Sequence, residues 1–172
     1  MAQVLLGLGS NVGDALGALQ RAALELSRLL SEVRTSSVYR TAPMYVADQP
    51  PFLNAALCGI SHDGPLLLLR KLKDLEQELG RTPRERNGPR EIDIDLLAYG
   101  SLKYRFAGGL RLTVPHPRVV ERRFVLQPLA DLAFDFHLPG LGTVRELLIQ
   151  TNDQAADVVR LDHALLPVHG AR

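Results

Sequence analysis

The chain has one cysteine, Cys58, no tryptophan, and only three lysines among its 20 basic residues. A single cysteine excludes an internal disulfide and fits a reducing compartment. Its longest early apolar run, Val4 to Leu8, is too short for a signal or membrane segment, so a cytoplasmic soluble protein is expected. Neither a net charge of +1 nor a pI near 8.0 suits a general polyanion binder, and no nucleic-acid or membrane partner is expected. There is no internal repeat, low-complexity stretch or linker. With 46% hydrophobic and 23% charged residues over 172 positions, one domain with a sizeable core is expected. Five Phe and four Tyr leave few side chains able to stack on a flat heterocycle.

Against that sparse background one segment carries unusual chemistry. Arg90-Glu91-Ile92-Asp93-Ile94-Asp95-Leu96-Leu97 follows the turn Asn87-Gly88-Pro89. On a strand, Asp93 and Asp95 share one face and Ile92, Ile94 and Leu96 the other. Carboxylates about 7 Å apart on a rigid element suit a hard cation such as magnesium. Arg81, Arg84, Arg86 and Arg90 crowd the ten residues upstream against one acid, Glu85. Metal-holding acids beside phosphate-holding arginines suggest phosphoryl chemistry on a nucleotide. An amphipathic strand with a solvated acidic face explains the segment equally well.

Periodicity supplies the frame. Gln3 to Leu8 reads as a strand, Asp14 as a helix N-cap, and Leu16, Leu19, Ala23, Leu26 and Leu30 as an amphipathic stripe. Val33 to Tyr39 and Phe52 to Ile60 read as strands around an irregular loop, Arg40 to Pro51. Gly64-Pro65 opens a helix with Leu68, Leu72, Leu75 and Leu79 inward and Gly80 as its cap. Ile92 to Tyr99 is the next strand. This order is β-α-β-β-α-β, a ferredoxin-like α+β plan with helices on one face. A hairpin or irregular strands over 101–114, a helix within 119–133 broken by Pro128, and a short helix near 143–150 follow. The core is expected over about 3–133, with 134–172 a C-terminal extension.

Other residues admit two readings each. Gly9-Ser10-Asn11-Val12-Gly13-Asp14 joins a strand to a helix and could cradle phosphate, but lacks a P-loop ending. Thr113-Val114-Pro115-His116-Pro117 stiffens the backbone around one histidine, either aiming it at an anion or forming a rigid surface turn. His62, His137, His163 and His169 have no such setting. Phe52 and Phe124 are stacking platforms or core. Asn54, on the strand face of Phe52, could read ring edges. Glu76 sits at the margin of an apolar stripe, directed to solvent or into a site.

Leu8-Gly9-Ser10-Asn11, Val38-Tyr39-Arg40-Thr41, Asp48-Gln49-Pro50 through Ala56, Gly88-Pro89-Arg90 through Asp95, Leu112 through Pro117, and Arg122-Arg123-Phe124-Val125 occur in register. Together they resemble the 6-hydroxymethyl-7,8-dihydropterin pyrophosphokinases of folate biosynthesis. The resemblance implies transfer of pyrophosphate from ATP to the pterin hydroxymethyl group with release of AMP. It implies two magnesium ions on Asp93 and Asp95, with Asp95, Arg81, Arg90 and His116 as catalytic residues. It also implies a pterin pocket of Thr41, Ala42, Met44, Phe52, Asn54 and Phe124. ATP would meet Glu76, Arg81, Arg90, Ile94, Arg111, Thr113, His116 and Arg122. The partners implied are the two small-molecule substrates, and a monomer is expected. Mobile loops would span 9–14, 40–51 and 80–90, closing to exclude water. Two departures from the family pattern stand out: Asn87 where many members carry tryptophan, and a shorter arginine loop containing Pro83. Equivalence of Arg84 or Arg86 to a particular family arginine stays open. Two competing classes are a ferredoxin-like RNA-binding module, disfavoured by carboxylates on the central strand, and a phosphotransferase acting on another alcohol.

Overall fold

A computed structural model describes residues 1–83 and 87–166. Its element order is β1 (Ala2–Ser10), α1 (Ala15–Leu29), β2 (Ser31–Thr35), β3 (Val38–Thr41), β4 (Phe52–Ser61), α2 (Pro65–Glu78) and β5 (Asp93–Tyr99). There follow β6 (Tyr104–Ala107), β7 (Arg111–Val114), a 3₁₀ turn (Pro117–Glu121), α3 (Arg123–Ala133), β8 (His137–Leu138) and β9 (Gly142–Thr143). The chain continues through α4 (Val144–Gln150), a second 3₁₀ turn (Asn152–Asp157) and β10 (Val158–Leu161).

The central sheet runs β10-β3-β4-β1-β5, with β2 also paired to β4, and all its pairings are antiparallel. Alternation along the strands divides its two faces. Val4, Leu6, Leu8, Ala55, Leu57, Ile94 and Leu96 pack against Leu19, Ala23 and Leu26 of α1 and Leu68 and Leu72 of α2. Leu5, Ala56, Cys58 and Leu97 face the other way, onto Leu126 and Leu129 of α3 and Val144 and Leu147 of α4. Each fully buried leucine contributes roughly 1.5–3 kcal/mol, so the two stripes hold both layers to the sheet. Asp14 caps α1 by accepting from Gly17 N–H at 3.0 Å, and Pro65 opens α2 behind Gly64. The ferredoxin-like plan thus has its two helices on one face, and the C-terminal helices cover the other.

Two local expectations are corrected. Val33 to Tyr39 is not one strand, because Ser36 interrupts the ladder. Its hydroxyl, not a backbone carbonyl, accepts from Ala56 N–H at 2.8 Å, and Ser37 N–H turns to Asp131 Oδ2 at 3.0 Å. Pro128 does not break α3. The helix forgoes one internal hydrogen bond there, at about 3 kcal/mol, which burial of Leu126 and Leu129 offsets. The C-terminal extension supplies β10, which pairs Val158–Leu161 with Thr41–Val38 at the sheet edge.

Candidate active site

The floor of the site is set by register. Gly7 of β1 lies between Ala56 of β4 and Asp95 of β5, and Gly9 lies between Asn54 and Asp93. Two glycines on one strand face leave a trough between the carboxylates and Asn54. A Cβ at Gly9 would stand 2.9 Å from Asn54 Oδ1, so even alanine disturbs it. Asn54 Nδ2 donates to Thr41 Oγ1 at 2.7 Å, which fixes the amide.

Above this floor is an open cleft with a cavity volume of about 80 Å³. Phe52, Asn54, Thr41, Ala42, Met44 and Phe124 line it together with Arg90, Asp93, Asp95 and Arg122. A second hollow, lined by Lys73, Glu76, Arg81 and Arg90, adjoins it beside α2.

The charges between the two hollows form one network. Asp93 accepts from Arg81 Nη1 at 2.7 Å and from Arg90 Nη1 at 2.6 Å. Burial opposes its ionisation, but Lys73, Arg90 and Arg81 outweigh burial and hold the carboxyl below its usual range. Asp95 has no ion pair among the described residues. Burial and the neighbouring Asp93 push it up to about 6. Glu76 is 2% exposed, so the margin position turns inward rather than to solvent. It accepts from Lys73 Nζ at 2.7 Å, from Ile94 N–H at 2.6 Å and from Arg81. Burial raises its carboxyl pKa despite Lys73.

His116 is tied to β5 through its N–H, which donates to Leu97 O at 2.8 Å. Its Nδ1 accepts from Arg118 N–H at 3.2 Å, so the ring hydrogen belongs on Nε2. Burial and Arg122 push its pKa down to about 4. The imidazole is therefore a neutral donor, not a group titrating near pH 7.

Three loops meet over the site. Asn11 Nδ2 donates to Gln49 Oε1 at 3.1 Å and Pro50 O at 3.0 Å, while its Oδ1 accepts from Arg90 N–H at 2.9 Å. Gln49 Nε2 donates to Asn87 O at 3.1 Å. Asn87 has φ +61°, a left-handed conformation that asparagine tolerates better than larger side chains.

The family model for 7,8-dihydro-6-hydroxymethylpterin-pyrophosphokinase matches residues 5–134. The chain belongs to that family. It is 40% identical over 161 residues to a Methylorubrum extorquens 2-amino-4-hydroxy-6-hydroxymethyldihydropteridine pyrophosphokinase, covering 92% of this chain and 99% of the relative. The Haemophilus influenzae protein of the same name is 36% identical, covering 89% and 95%. A mitochondrial folate synthesis bifunctional protein of Pisum sativum is 48% identical over 132 residues, or 76% of this chain. The chain spans 25% of that longer relative. Among solved structures, a Plasmodium falciparum HPPK-DHPS shares the fold, with TM-score 0.75 and 15% identity over 92% of this chain and 46% of its own. The family and the enzyme class expected from the motifs, a pyrophosphokinase of folate synthesis, are those of the relatives.

Measured against the family expectation, most of the named side chains converge. Ile94 does not: its side chain is fully buried on the opposite face, and its N–H and C=O serve Glu76 and Lys73. Arg111 is exposed on β7, Thr113 is half-buried beside it, and these two and His116 line neither of the two hollows. Arg84, Glu85 and Arg86 lie outside the described residues, as does His169. Sequence reasoning assigned no role to Lys73, Asn11, Gln49 or Tyr45. The available signals were a lysine three residues before Glu76 and polar side chains inside quoted motifs. No helix among the described residues is long and apolar enough to cross a membrane.

Proposed function

We propose that this chain transfers the pyrophosphoryl group of ATP to the hydroxymethyl oxygen of 6-hydroxymethyl-7,8-dihydropterin and releases AMP. The observation that carries the proposal is one cleft lined both by the aromatic and amide side chains Phe52, Phe124 and Asn54 and by the acids Asp93 and Asp95 with Arg90 and Arg122. Phe52 and Phe124 stack on the pterin, and Asn54, oriented by Thr41, hydrogen-bonds its edge. Met44 and Ala42 bound the same pocket from the loop after β3.

Magnesium fits the acids. Asp95 is destabilised as an anion by burial and Asp93, and a hard divalent cation relieves that repulsion. Asp93 and Asp95 would hold two magnesium ions, which supply charge neutralisation and alignment of the phosphates.

The chain's own residues do the rest. Asp93 holds Arg81 and Arg90 in place, and the phosphates of ATP compete for both guanidinium groups. Glu76 and Lys73 brace Arg81 and β5 from behind. His116 donates from Nε2 to a phosphate oxygen without carrying a charge of its own. Arg122 adds a fork from the N-terminal end of α3. Residues 9–14, 40–51 and 87–90 are tied together by the Asn11–Gln49–Asn87 bonds, and their closure over the substrates excludes water. One catalytic unit acting as a monomer in the cytoplasm, with residues after 133 bracing the sheet edge, belongs to the same proposal.

Incubation with ATP, magnesium and the hydroxymethyl dihydropterin tests it by nucleotide analysis. AMP with a pyrophosphorylated pterin is expected, whereas ADP means simple phosphoryl transfer and overturns the assignment.

A further inference from the structure

Tyr45 has no part in the chemistry described above, yet its contacts are specific. It sits in the loop between β3 and β4, 40% exposed, and lines the cleft. Its hydroxyl accepts from Arg122 Nε at 3.1 Å and donates to Glu121 Oε1 at 3.1 Å. The same Glu121 oxygen accepts from Arg118 Nε at 2.7 Å. The Arg118 guanidinium carbon lies 4.3 Å from the Tyr45 ring centroid, inside cation–π range. Arg122 in turn lies between two rings, 5.5 Å from Tyr45 and 5.6 Å from Phe124.

Arg118 and Glu121 have side chains 27% and 49% exposed, so their ion pair contributes little to stability. Its weight is in orientation. A free arginine side chain loses rotamer entropy when a ligand fixes it. One already held by Nε has its plane set, with both Nη groups left for the ligand. Tyr45 also belongs to the loop that carries Ala42 and Met44, which line the same cleft.

We propose that Tyr45 is a positioning residue for Arg122. Its hydroxyl sets the guanidinium plane, while Arg118 and Glu121 set Tyr45. The roof of the pterin pocket and a nucleotide-facing arginine are thereby fixed together. The proposal rests on the functional assignment above, in which Arg122 meets ATP.

Tyr45→Phe removes the hydroxyl and keeps the ring beneath Arg118. Titration with α,β-methylene-ATP and magnesium is expected to show about fivefold weaker binding, the size of one net hydrogen bond. Pterin affinity measured alone is expected to stay within about twofold, and the thermal midpoint within about 4 °C of wild type. A structural defect would move all three. In an Arg122→Ala background, adding Tyr45→Phe should cost nothing further. Wild-type nucleotide affinity in Tyr45→Phe, or an equal loss in both backgrounds, overturns the positioning role alone. Wild-type protein that binds neither ligand overturns the functional assignment and the positioning role together.

Discussion

Acid titration of His116 gives the sharpest test of the site's electrostatics. Burial and Arg122 carry the imidazole from 6.5 to about 4, and its Nδ1 is already committed to Arg118 N–H. Protonating it therefore costs on the order of 3 kcal/mol more in the folded protein than in the unfolded chain. The sign follows from a depressed pKa. Below pH 6.5 the unfolded chain takes up a proton that the folded protein refuses, so the stabilisation is complete above 6.5. It is lost progressively as pH falls through about 4. By pH 5 the loss attributable to this residue should reach about 2 kcal/mol. Asp95, raised to about 6, contributes in the opposite direction over an overlapping range, so wild-type stability alone is not diagnostic. The difference between wild type and His116→Asn is. Asparagine keeps an acceptor for Arg118 N–H but cannot protonate. Urea unfolding in EDTA at steps from pH 7.5 to 4.5 should show the gap between the two proteins closing by about 2 kcal/mol on acidification to pH 5. A pH-independent gap would refute the neutral, Nε2-protonated imidazole and its use as an uncharged donor.

Three further outcomes are expected. Asp95→Asn should abolish magnesium-dependent turnover and yet raise the melting temperature of the metal-free protein at pH 8, because the carboxylate is strained there by burial and Asp93; a lower melting temperature would contradict that. Gly9→Ala should weaken pterin binding about tenfold by displacing Asn54, with the fold retained by circular dichroism; unchanged affinity would remove Asn54 from the pocket. Arg90→Lys should lower kcat/KM for ATP by at least about tenfold, since one ammonium replaces a fork whose Nη1 serves Asp93 and whose Nε serves Gly88 O; unaltered kinetics would reject a forked contact.

The difference between Leu26 and Tyr45 shows what was legible. Leu26 repeats with Leu19 and Ala23 at helical spacing, so its inward face follows from a window of eleven residues. Asp93 and Asp95 share a face for the same local reason. Tyr45 sits in an aperiodic loop and acquires its partners from residues 118–122, more than 70 positions away. Glu76 was ambiguous because the helix pattern alone does not say what covers a marginal position. Lys73, Arg81 and the N–H of Ile94 decide it. Likewise β10 is four residues with no amphipathic signal of its own, and only the open edge of β3 makes it a strand.

By itself the sequence determined two amphipathic helices set between strands of one sheet, the acidic face of β5, the proline-bracketed histidine and the family motifs, since each is written in short spacings. Tertiary structure decided which groups are charged and what they hold. Asp93 is kept ionised by three cations from α2 and the loop that follows it, Asp95 beside it is strained, and His116 is neutral. Those states depend on burial and on distances between segments remote in sequence, and electrostatic energy in a cleft is a property of that arrangement.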